Sequence, residues 1–502
     1  GLPPSILARL LPAPRAAPAM TPLHRSAPAL AAALLLSACA PAEPGGDVPD
    51  LAIENVTVID AVNGVREGHT VVVDEGRIVS VTPAGEARPA DGAGPLAAEL
   101  VDGTGRYLIP GLWDFHVHLT YDDRFTGAMP GLCLAHGITS IRDTGGMLDR
   151  VLPVVEGMEA EGAVAPRVLF AGPLLDGEHV VYDGENRPAL GIANPDPETA
   201  RANVARLAEA GVDFIKIYEM VTPEVFAALV EAAEERGLPR DGHVPLSMLA
   251  REVAPHMQSL EHLRNLEMDC ATNADELLAA RRSILAEPDP GPGADLRARL
   301  HELHRIPSIE AYDEERCDAL AEALSGTIQV PTLRLNALGL QVPFDRPGWE
   351  EALARAPAGV QEEWGAAAEE HARRGEPARD TTFGSWSLFL VGELHEAGVP
   401  MAAGTDTPIG WALPGFSLHS ELEMLVRAGL PPREALRAAT VRPAGFFGLE
   451  GEMGTVEEGR LADLVLLSAD PLEDIANTRT VEAVVSKGEL LDREELDRLA
   501  GS

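Results

Sequence analysis

The chain has 502 residues, with 79 acidic and 40 basic side chains, and its formal net charge is -39 at pH 7. So acidic a chain is a poor partner for nucleic acid and for anionic membrane surfaces, because both carry negative charge themselves. The hydrophobic content of 45% supplies a sizeable core, and the length suits a large barrel with an accessory domain.

Residues 20–38, which begin at the first methionine, are typical of an export signal. Their apolar run is too short for a helix that spans a bilayer. The stretch "LSAC" resembles a bacterial lipobox, which would make Cys39 the lipidated first residue of the mature chain. The alternative is a chance cysteine in an ordinary cleaved signal. We therefore expect residues 1–19 to lie upstream of the true start. We also expect an exported lipoprotein, periplasmic or anchored to the outer membrane, that contacts membrane only through Cys39.

Strand-like patterns occur near both ends of the mature chain. A Pro/Gly-rich tether at 39–50 is followed by short alternating runs over 51–108, and the same character returns over 450–493, before a tail at 494–502. Alternation with Gly-rich turns predicts β-strands. We expect a small β-sandwich domain assembled from both ends.

The region 109–449 alternates strand-like and helix-like segments, which indicates a parallel α/β architecture. Eight candidate strands lie around Leu112–His118, Ile138–Asp143, Val168–Leu174, Val212–Tyr218, Arg240–Val244, Ser259–Leu263, Ile328–Leu333 and Pro400–Asp406. Eight such units predict a (β/α)8 TIM-like barrel. The long connections 266–326 and 336–398 fit helical lids over the barrel mouth, or ordinary surface insertions.

The cysteines after the export signal are Cys133, Cys270 and Cys317. They are odd in number, widely spaced, and contain no CxxC pair. This pattern predicts isolated packed thiols rather than a zinc cluster or a disulfide framework.

The first barrel strand reads "LIPGLWDFHVHLT" and holds a His-x-His pair. Because side chains alternate along a strand, His116 and His118 share one face near the end where barrel enzymes place their chemistry. Two such imidazoles suit one metal ion, although the pair alone also fits a structural role. Asp114 shares their face and fits either a partner of a ligand histidine or a turn residue.

Three further residues stand near predicted strand ends: His243, His262 and Asp406. Each alone fits a hydrogen-bonded core residue or a turn cap. Lys216 lies on the fourth strand in the apolar run "GVDFIKIYEM", and the chain holds one other lysine, Lys487. Burying an amine there is costly, so its retention in an arginine-rich chain favours a chemical role. Jointly, these residues favour a metal centre.

The motif "PGLWDFHVHL", the isolated strand lysine, the two single histidines and the late "GTD" together resemble the metal-dependent amidohydrolase superfamily. The resemblance covers nearly the whole mature chain and is closest to the imidazolonepropionase-like and prolidase-like binuclear branch. It implies two divalent metals, expected to be zinc. The implied ligands are His116, His118 and Asp406 for one metal, His243 and His262 for the other, and Lys216 as a carbamate that bridges them.

Carboxylation of Lys216 by carbon dioxide needs a neutral amine, and burial lowers the pKa of a lysine. The product is an anion that two cations can neutralise. Arginine stays charged and cannot form it. The alternatives for Lys216 are a salt-bridged lysine and a Schiff-base lysine, and the latter would not require the histidines.

The resemblance implies hydrolysis of an amide-type C–N bond in a small molecule such as a dipeptide, an N-acyl amino acid or a cyclic amide. A metal-bridging hydroxide would attack the carbonyl, and Asp406 would shuttle the proton to the leaving amine. Two alternatives are a phosphotriesterase-like or lactonase-like hydrolase, and a non-catalytic binding lipoprotein. A homo-oligomer is compatible with each.

Substrate contacts are predicted at Tyr218, Arg264 and His179. The Tyr218 hydroxyl could bond a substrate carbonyl or carboxylate, Arg264 could bind a carboxylate, and His179 follows the third strand. A core tyrosine, a surface salt bridge and a loop histidine are the respective alternatives. His419 opens the helix after Asp406 and fits the site or helix packing equally.

Overall fold

A computed structural model describes residues 2, 6, 48–87, 95–185, 187–374 and 380–501. The predicted signal peptide, the lipidation residue Cys39 and most of the tether lie outside these residues. Within the described residues, none of the helices combines the length and apolar character that spanning a bilayer requires.

Seventeen strands are assigned in the described residues. They are β1 Leu51–Asp60, β2 Gly64–Asp74, β3 Arg77–Pro83, β4 Glu99–Asp102, β5 Tyr107–Pro110, β6 Leu112–Val117, β7 Ile138–Asp143, β8 Arg167–Phe170, β9 Leu174–Asp176, β10 Gly191–Ala193, β11 Ile215–Ile217, β12 Arg240–Gly242, β13 Ser259–Glu261, β14 Ile328–Val330, β15 Leu464–Leu467, β16 Val481–Ser486 and β17 Glu489–Asp492.

The α-helices of the described residues are numbered here in chain order. They are α1 Asp123–Thr126, α2 Met129–Ala135, α3 Leu148–Glu159, α4 Pro197–Glu209, α5 Pro223–Glu234, α6 Ala250–Val253, α7 Leu266–Asp269, α8 Ala274–Leu285, α9 Gly293–Glu310, α10 Glu314–Ala323, α11 Leu333–Asn336, α12 Trp349–Leu353, α13 Ala358–Arg374, α14 Thr382–Glu396, α15 Phe416–Arg427, α16 Pro432–Ala438, α17 Val441–Phe446 and α18 Arg493–Gly501. Short 3-10 helices cover Ala254–His256, Pro343–Asp345 and Ile475–Arg479.

Both ends of the chain build one mixed sheet, as expected. Its strand order is β17-β16-β15-β5-β1-β2-β3, and β4 also pairs with β1. Strand β5 runs parallel to β1 and antiparallel to β15, so the C-terminal strands are joined directly to the N-terminal ones. Alternating side chains give the sheet two apolar faces: Ile109 packs in the main core, whereas Leu108 packs in a second, local core. This sheet is consistent with the predicted β-sandwich domain.

The middle of the chain is a mixed α/β region whose parallel strands form three sheets rather than one. They are β6-β7-β8, β10-β9-β11-β12 and β13-β14. The predicted closed barrel is therefore not resolved as a single sheet. The predicted eighth strand, Pro400–Asp406, makes isolated parallel bridges instead: Met401 pairs with Gln329, and Thr407 pairs with Val117. Asp406 has a φ of 59°, a left-handed conformation that a regular strand cannot contain.

Helices α4 and α5 each begin after a side-chain cap. Asp196 accepts a hydrogen bond from the Thr199 amide at 2.8 Å, and Thr222 caps α5 through the Val225 amide at 3.3 Å. In each helix the residue after the cap is proline, which needs no amide partner there.

The prediction of isolated thiols is wrong for two of the three cysteines. Cys270 and Cys317 form a disulfide, and Cys133 is the buried free thiol among the described residues. The bonded cysteines are 47 residues apart, and the packing of α7 against α10 brings them together. Spacing along the chain does not report such packing. The disulfide closes the segment that carries α8 and α9.

Candidate metal centre

Two imidazoles and a carboxylate meet at the end of β6. Strand alternation points His116 and His118 the same way, and the His116 carbonyl accepts the Asp406 amide at 2.7 Å. Asp406 Oδ1 lies 3.2 Å from Nε2 of both histidines. The three side chains offer buried ligand atoms within 4.8 Å of one another. This arrangement fits one divalent cation, for which two imidazoles and a carboxylate are suitable ligands.

The donor set has an unsatisfied atom that a cation would satisfy. Asp406 Oδ1 is buried and makes no hydrogen bond within the described residues, despite its nearness to the two imidazoles. A buried carboxylate oxygen without a partner is costly unless a cation balances it. The residues present therefore fit a metal.

The other three predicted ligands lie beside this group. Lys216 Nζ is 3.3 Å from His116 Nε2, and His262 Nε2 is 3.9 Å from Asp406 Oδ2. The ring centres of His243 and His262 are 4.9 Å apart, and His243 Nε2 is a second buried atom of the site without a hydrogen bond in the described residues. All six predicted ligand side chains are thus brought to one place.

Each of the four histidines has its other ring nitrogen engaged. His116 Nδ1 pairs with Glu261, and His118 Nδ1 is 3.0 Å from the Gly145 carbonyl. His243 Nδ1 is 2.6 Å from Glu219 Oε1. His262 Nδ1 is 2.7 Å from the Thr332 hydroxyl. Such contacts fix the ring and leave Nε2 for a cation.

Sequence reasoning missed the acidic partners Glu219 and Glu261. A signal was present, because Glu219 follows β11 three residues after Lys216, and Glu261 directly precedes His262. Arg142 is fully buried, and its guanidinium donates to Glu261 at 2.7 Å and lies 3.6 Å from the centre of the Phe115 ring.

Burial sets the protonation of these groups. It lowers the pKa of His116 and of His243 to about 3, which keeps both imidazoles in the neutral form that binds metals. Burial also lowers the pKa of Lys216, although Asp241 and Glu261 oppose the shift. For Asp406, burial acts in the opposite sense, but the His262 and His116 imidazoles hold its pKa well below its usual range.

The side chain of Asp114 accepts two hydrogen bonds from Thr405. Its carboxylate accepts from the Thr405 amide at 2.9 Å and from the Thr405 hydroxyl at 2.6 Å. It therefore holds the segment before Asp406 rather than the ring of a ligand histidine. His419 also lies elsewhere, because its ring bonds Thr478 at 2.9 Å and the His136 carbonyl at 3.1 Å.

A cavity of about 300 Å³ opens onto the metal centre. Tyr218 and Arg264, two of the predicted substrate residues, line it together with Asp406 and Lys216. His179 does not reach it and lines a separate cavity instead. Asp176 holds the loop that carries His179, because its carboxylate accepts hydrogen bonds from the Val181 and Met220 amides at 2.9 and 2.8 Å.

Known proteins share this sequence pattern. A profile of the Amidohydrolase family matches residues 388–491. Imidazolonepropionase from Symbiobacterium thermophilum is 27% identical over 429 residues, which cover 80% of this chain and 84% of the relative. Ochratoxinase from Aspergillus niger is 25% identical over 406 residues, which cover 75% of this chain and 73% of the relative.

Solved structures share the fold. A bottromycin amidohydrolase matches with a TM-score of 0.62 and 27% identity, over 89% of this chain and 88% of that one. A Xaa-Pro dipeptidase with bound methionine in the active site matches with a TM-score of 0.62 and 18% identity, over 88% and 99% of the two chains. These findings confirm the resemblance seen in the sequence. The chain belongs to the amidohydrolase superfamily and is a metal-dependent hydrolase of C–N bonds.

Proposed function

We propose that this hydrolase holds two divalent ions, expected to be zinc, and cleaves the amide bond of a dipeptide, an N-acyl amino acid or a cyclic amide. One observation carries the proposal. Four histidines with engaged Nδ1 atoms surround Asp406 and Lys216 at the floor of one cavity. His116, His118 and Asp406 would hold one ion, and His243 and His262 would hold the other.

Lys216 is proposed to bridge the two ions as a carbamate. Its neutral Nζ would attack the carbon of carbon dioxide, form an N–C bond and release one proton. The side chain is 1% exposed between Ile215 and Ile217, in surroundings that disfavour an ammonium. Its amine lies 3.3 Å from His116 Nε2, and the side chain lines the same cavity as His243 and His262.

Divalent ions in this position supply a lowered water pKa and a polarised substrate carbonyl. Asp406 accepts the proton of the attacking water and returns it to the departing amine, because an unprotonated amine leaves poorly. Its low pKa keeps the carboxylate ionised at neutral pH. Tyr218, whose ring is tilted against that of His243 with ring centres 4.5 Å apart, is placed to bond the substrate.

Substitution of Lys216 tests the carbamate. Lys216→Ala and Lys216→Arg should each lower metal content below two ions per chain. We expect both to lower amide hydrolysis by more than the roughly 10- to 100-fold typical of a group that only orients a ligand. Lys487→Arg is the matched control, because Lys487 is the other lysine of the chain and contacts the Met158 carbonyl at 3.4 Å.

Two readouts complete this test. NMR with ¹³C-bicarbonate should show a carbamate carbon in the wild type and in Lys487→Arg but not in Lys216→Arg. Wild-type turnover by Lys216→Arg would refute the carbamate. A zinc- or manganese-loaded wild type that hydrolyses no dipeptide or N-acyl amino acid would instead favour the non-catalytic binder.

We also propose that the parallel strands close into the (β/α)8 barrel. Support comes from contacts between the three sheets. The Gln258 amide donates to the Arg240 carbonyl at 3.0 Å, which links β12 to the residue before β13. The bridges Gln329 to Met401 and Val117 to Thr407 join β14 to β6 through the last extended segment.

Export as a lipoprotein anchored at Cys39 is proposed for the location. The signal-like segment and the lipobox support it. The Cys270–Cys317 disulfide adds an independent argument, since disulfides persist mainly in oxidising compartments outside the cytosol.

A further inference from the structure

Four arginines gather at the mouth of the metal site. Arg187 follows β9, Arg264 follows β13, and Arg297 and Arg305 belong to α9. All four line the inner cavity of about 300 Å³ and also an outer cavity of about 450 Å³. This concentration of positive charge contrasts with the acidic composition of the chain, whose net charge is -39. Because three separate segments supply the arginines, helix periodicity alone does not explain them.

Carboxylates lie close to two of these guanidinium groups. Arg297 Nε donates to Glu219 at 3.0 Å, and its Nη2 lies 2.8 Å from the same oxygen. Arg305 donates to His301 Nδ1 at 2.7 Å, and its Nε forms a longer ion pair with Glu267 at 3.7 Å. Neither Arg264 nor Arg187 has a carboxylate at ion-pair distance within the described residues. Positive charge therefore remains uncancelled at Arg264 and Arg187, although Glu302 and Asp380 also line the outer cavity.

Two nitrogens of the cluster also lack a hydrogen-bond partner. Nε of Arg264 and Nε of Arg305 are buried without a hydrogen bond in the described part of the chain. Burial and the nearby charge of Arg264 lower the pKa of Arg305 to about 10. Like charges held together are costly unless an anion joins them. Among the described residues, Asp406 is the carboxylate that lines the inner cavity, and it belongs to the metal centre.

Part of the lining of the inner cavity is apolar. Leu174, Leu190, Leu335, Ile409 and Tyr182 contribute to it. The cavity thus combines positive charge, apolar surface and the metal centre in its lining. Such a site suits a ligand with an acidic half and an apolar half.

We propose that the substrate carries two carboxylates: it is an amide of a dicarboxylic amino acid, of the aspartate or glutamate type, joined to an apolar acyl or aminoacyl group. This inference rests on the proposed amide hydrolysis. A single α-carboxylate is satisfied by one bidentate guanidinium, so the remaining uncancelled arginines call for a second anionic group. Within the described residues, Arg264 combines a buried Nε that makes no hydrogen bond with the lack of a carboxylate at ion-pair distance.

Matched substrates test the inference. Leucyl-glutamate and leucyl-glutamine differ in one charge at nearly constant shape, as do N-benzoyl-glutamate and N-benzoyl-glutamine. With the zinc-loaded enzyme, kcat/KM should favour the acid of each pair by roughly 10- to 100-fold, the range for a charge-assisted hydrogen bond lost to a neutral isostere. Equal kcat/KM values for the two members would overturn the inference and leave amide hydrolysis standing.

Arg264→Gln should reduce this preference by roughly tenfold or more. Arg299→Gln is the matched control, because Arg299 lies on the helix that carries Arg297 and Arg305 but is exposed and paired with Glu287 at 3.1 Å. The acid preference of the control should equal that of the wild type. An unchanged preference in Arg264→Gln, in a variant with wild-type circular dichroism, would count against the assignment.

A binding measurement keeps the inference testable if no amide is cleaved. Calorimetry on the zinc-loaded protein should show glutarate binding at least about tenfold more tightly than its monoamide. Both probes keep one carboxylate for the metals, and Arg264→Gln should remove the difference between them. Lack of turnover together with tighter binding of glutarate would refute the proposed hydrolysis alone. Equal binding of the two probes would refute the inference of a substrate with two carboxylates.

Discussion

Replacement of Glu219 by glutamine is the sharpest test of how the fold tunes the metal centre. Glu219 is fully buried, and one oxygen lies 2.6 Å from His243 Nδ1 while the other lies 2.5 Å from His301 Nε2. It also accepts a hydrogen bond from Arg297 Nε at 3.0 Å, and Arg297 Nη2 lies 2.8 Å from the same oxygen. Glu219 therefore connects a proposed metal ligand to the helix that carries part of the arginine cluster.

Glutamine keeps the size of this side chain and removes its charge. The His243 ring loses the anion that orients it, and such a loss typically weakens metal binding 10- to 100-fold, or about 1.4 to 2.7 kcal/mol. Arg297 is left without the carboxylate that cancels its charge, and breaking a buried ion pair costs about 3 to 5 kcal/mol of folding stability. Both effects should appear in Glu219→Gln.

Zinc affinity is measured by competition with a chromophoric chelator, and the free energy of unfolding by urea titration of the metal-free protein. The control is Glu231→Gln, since Glu231 forms an exposed ion pair with Arg201 at 2.7 Å and should change stability by less than about 1 kcal/mol. A Glu219→Gln protein that is destabilised but binds zinc like the wild type would show that Glu219 does not orient His243. No change in either quantity would refute the reasoning entirely.

Two further outcomes are expected. Burial holds the pKa of His419 well below its usual value, so this group stays neutral in the folded protein while it gains a proton in the unfolded chain below about pH 6.5. The stability contributed by neutral His419 is present above that pH and lost on acidification. Urea unfolding of the metal-free protein should show a loss of about 2 kcal/mol in the free energy of unfolding between pH 7 and pH 5, and His419→Gln should lack this loss. The same pH dependence in both proteins would contradict this. For the anchor, Cys39→Ser should move the protein from the membrane fraction to the soluble fraction of cells that export it, and a membrane-bound variant would argue against lipidation.

The gathering of the candidate ligand side chains was the most predictable part of the site. His116 and His118 are two residues apart, so strand alternation alone places them on one face. Lys216 stood out because an amine in an apolar strand is costly. The partners that orient these residues were less visible. Glu261 contacts His116 from 145 residues away, and nothing local to either residue indicates this pairing.

The insertions were the least predictable part. Their composition indicated helices, but it does not distinguish a lid over the barrel mouth from an ordinary surface insertion. The Cys270–Cys317 disulfide depends on how α7 packs against α10. The placement of Arg297 over the Tyr218 ring, 5.7 Å from its centre, depends on how α9 packs. The same holds for His179, whose loop is fixed by Asp176.

The order of residues along the chain therefore determined the superfamily, the metal-ligand types and the sheet built from both ends, because these depend on local alternation and on side-chain chemistry. Only the tertiary structure decided which acids orient the imidazoles and which cysteines pair. It also decided which arginines surround the cavity. Those relations join segments tens to hundreds of residues apart, and their energies come from burial and close approach, which a linear pattern does not record.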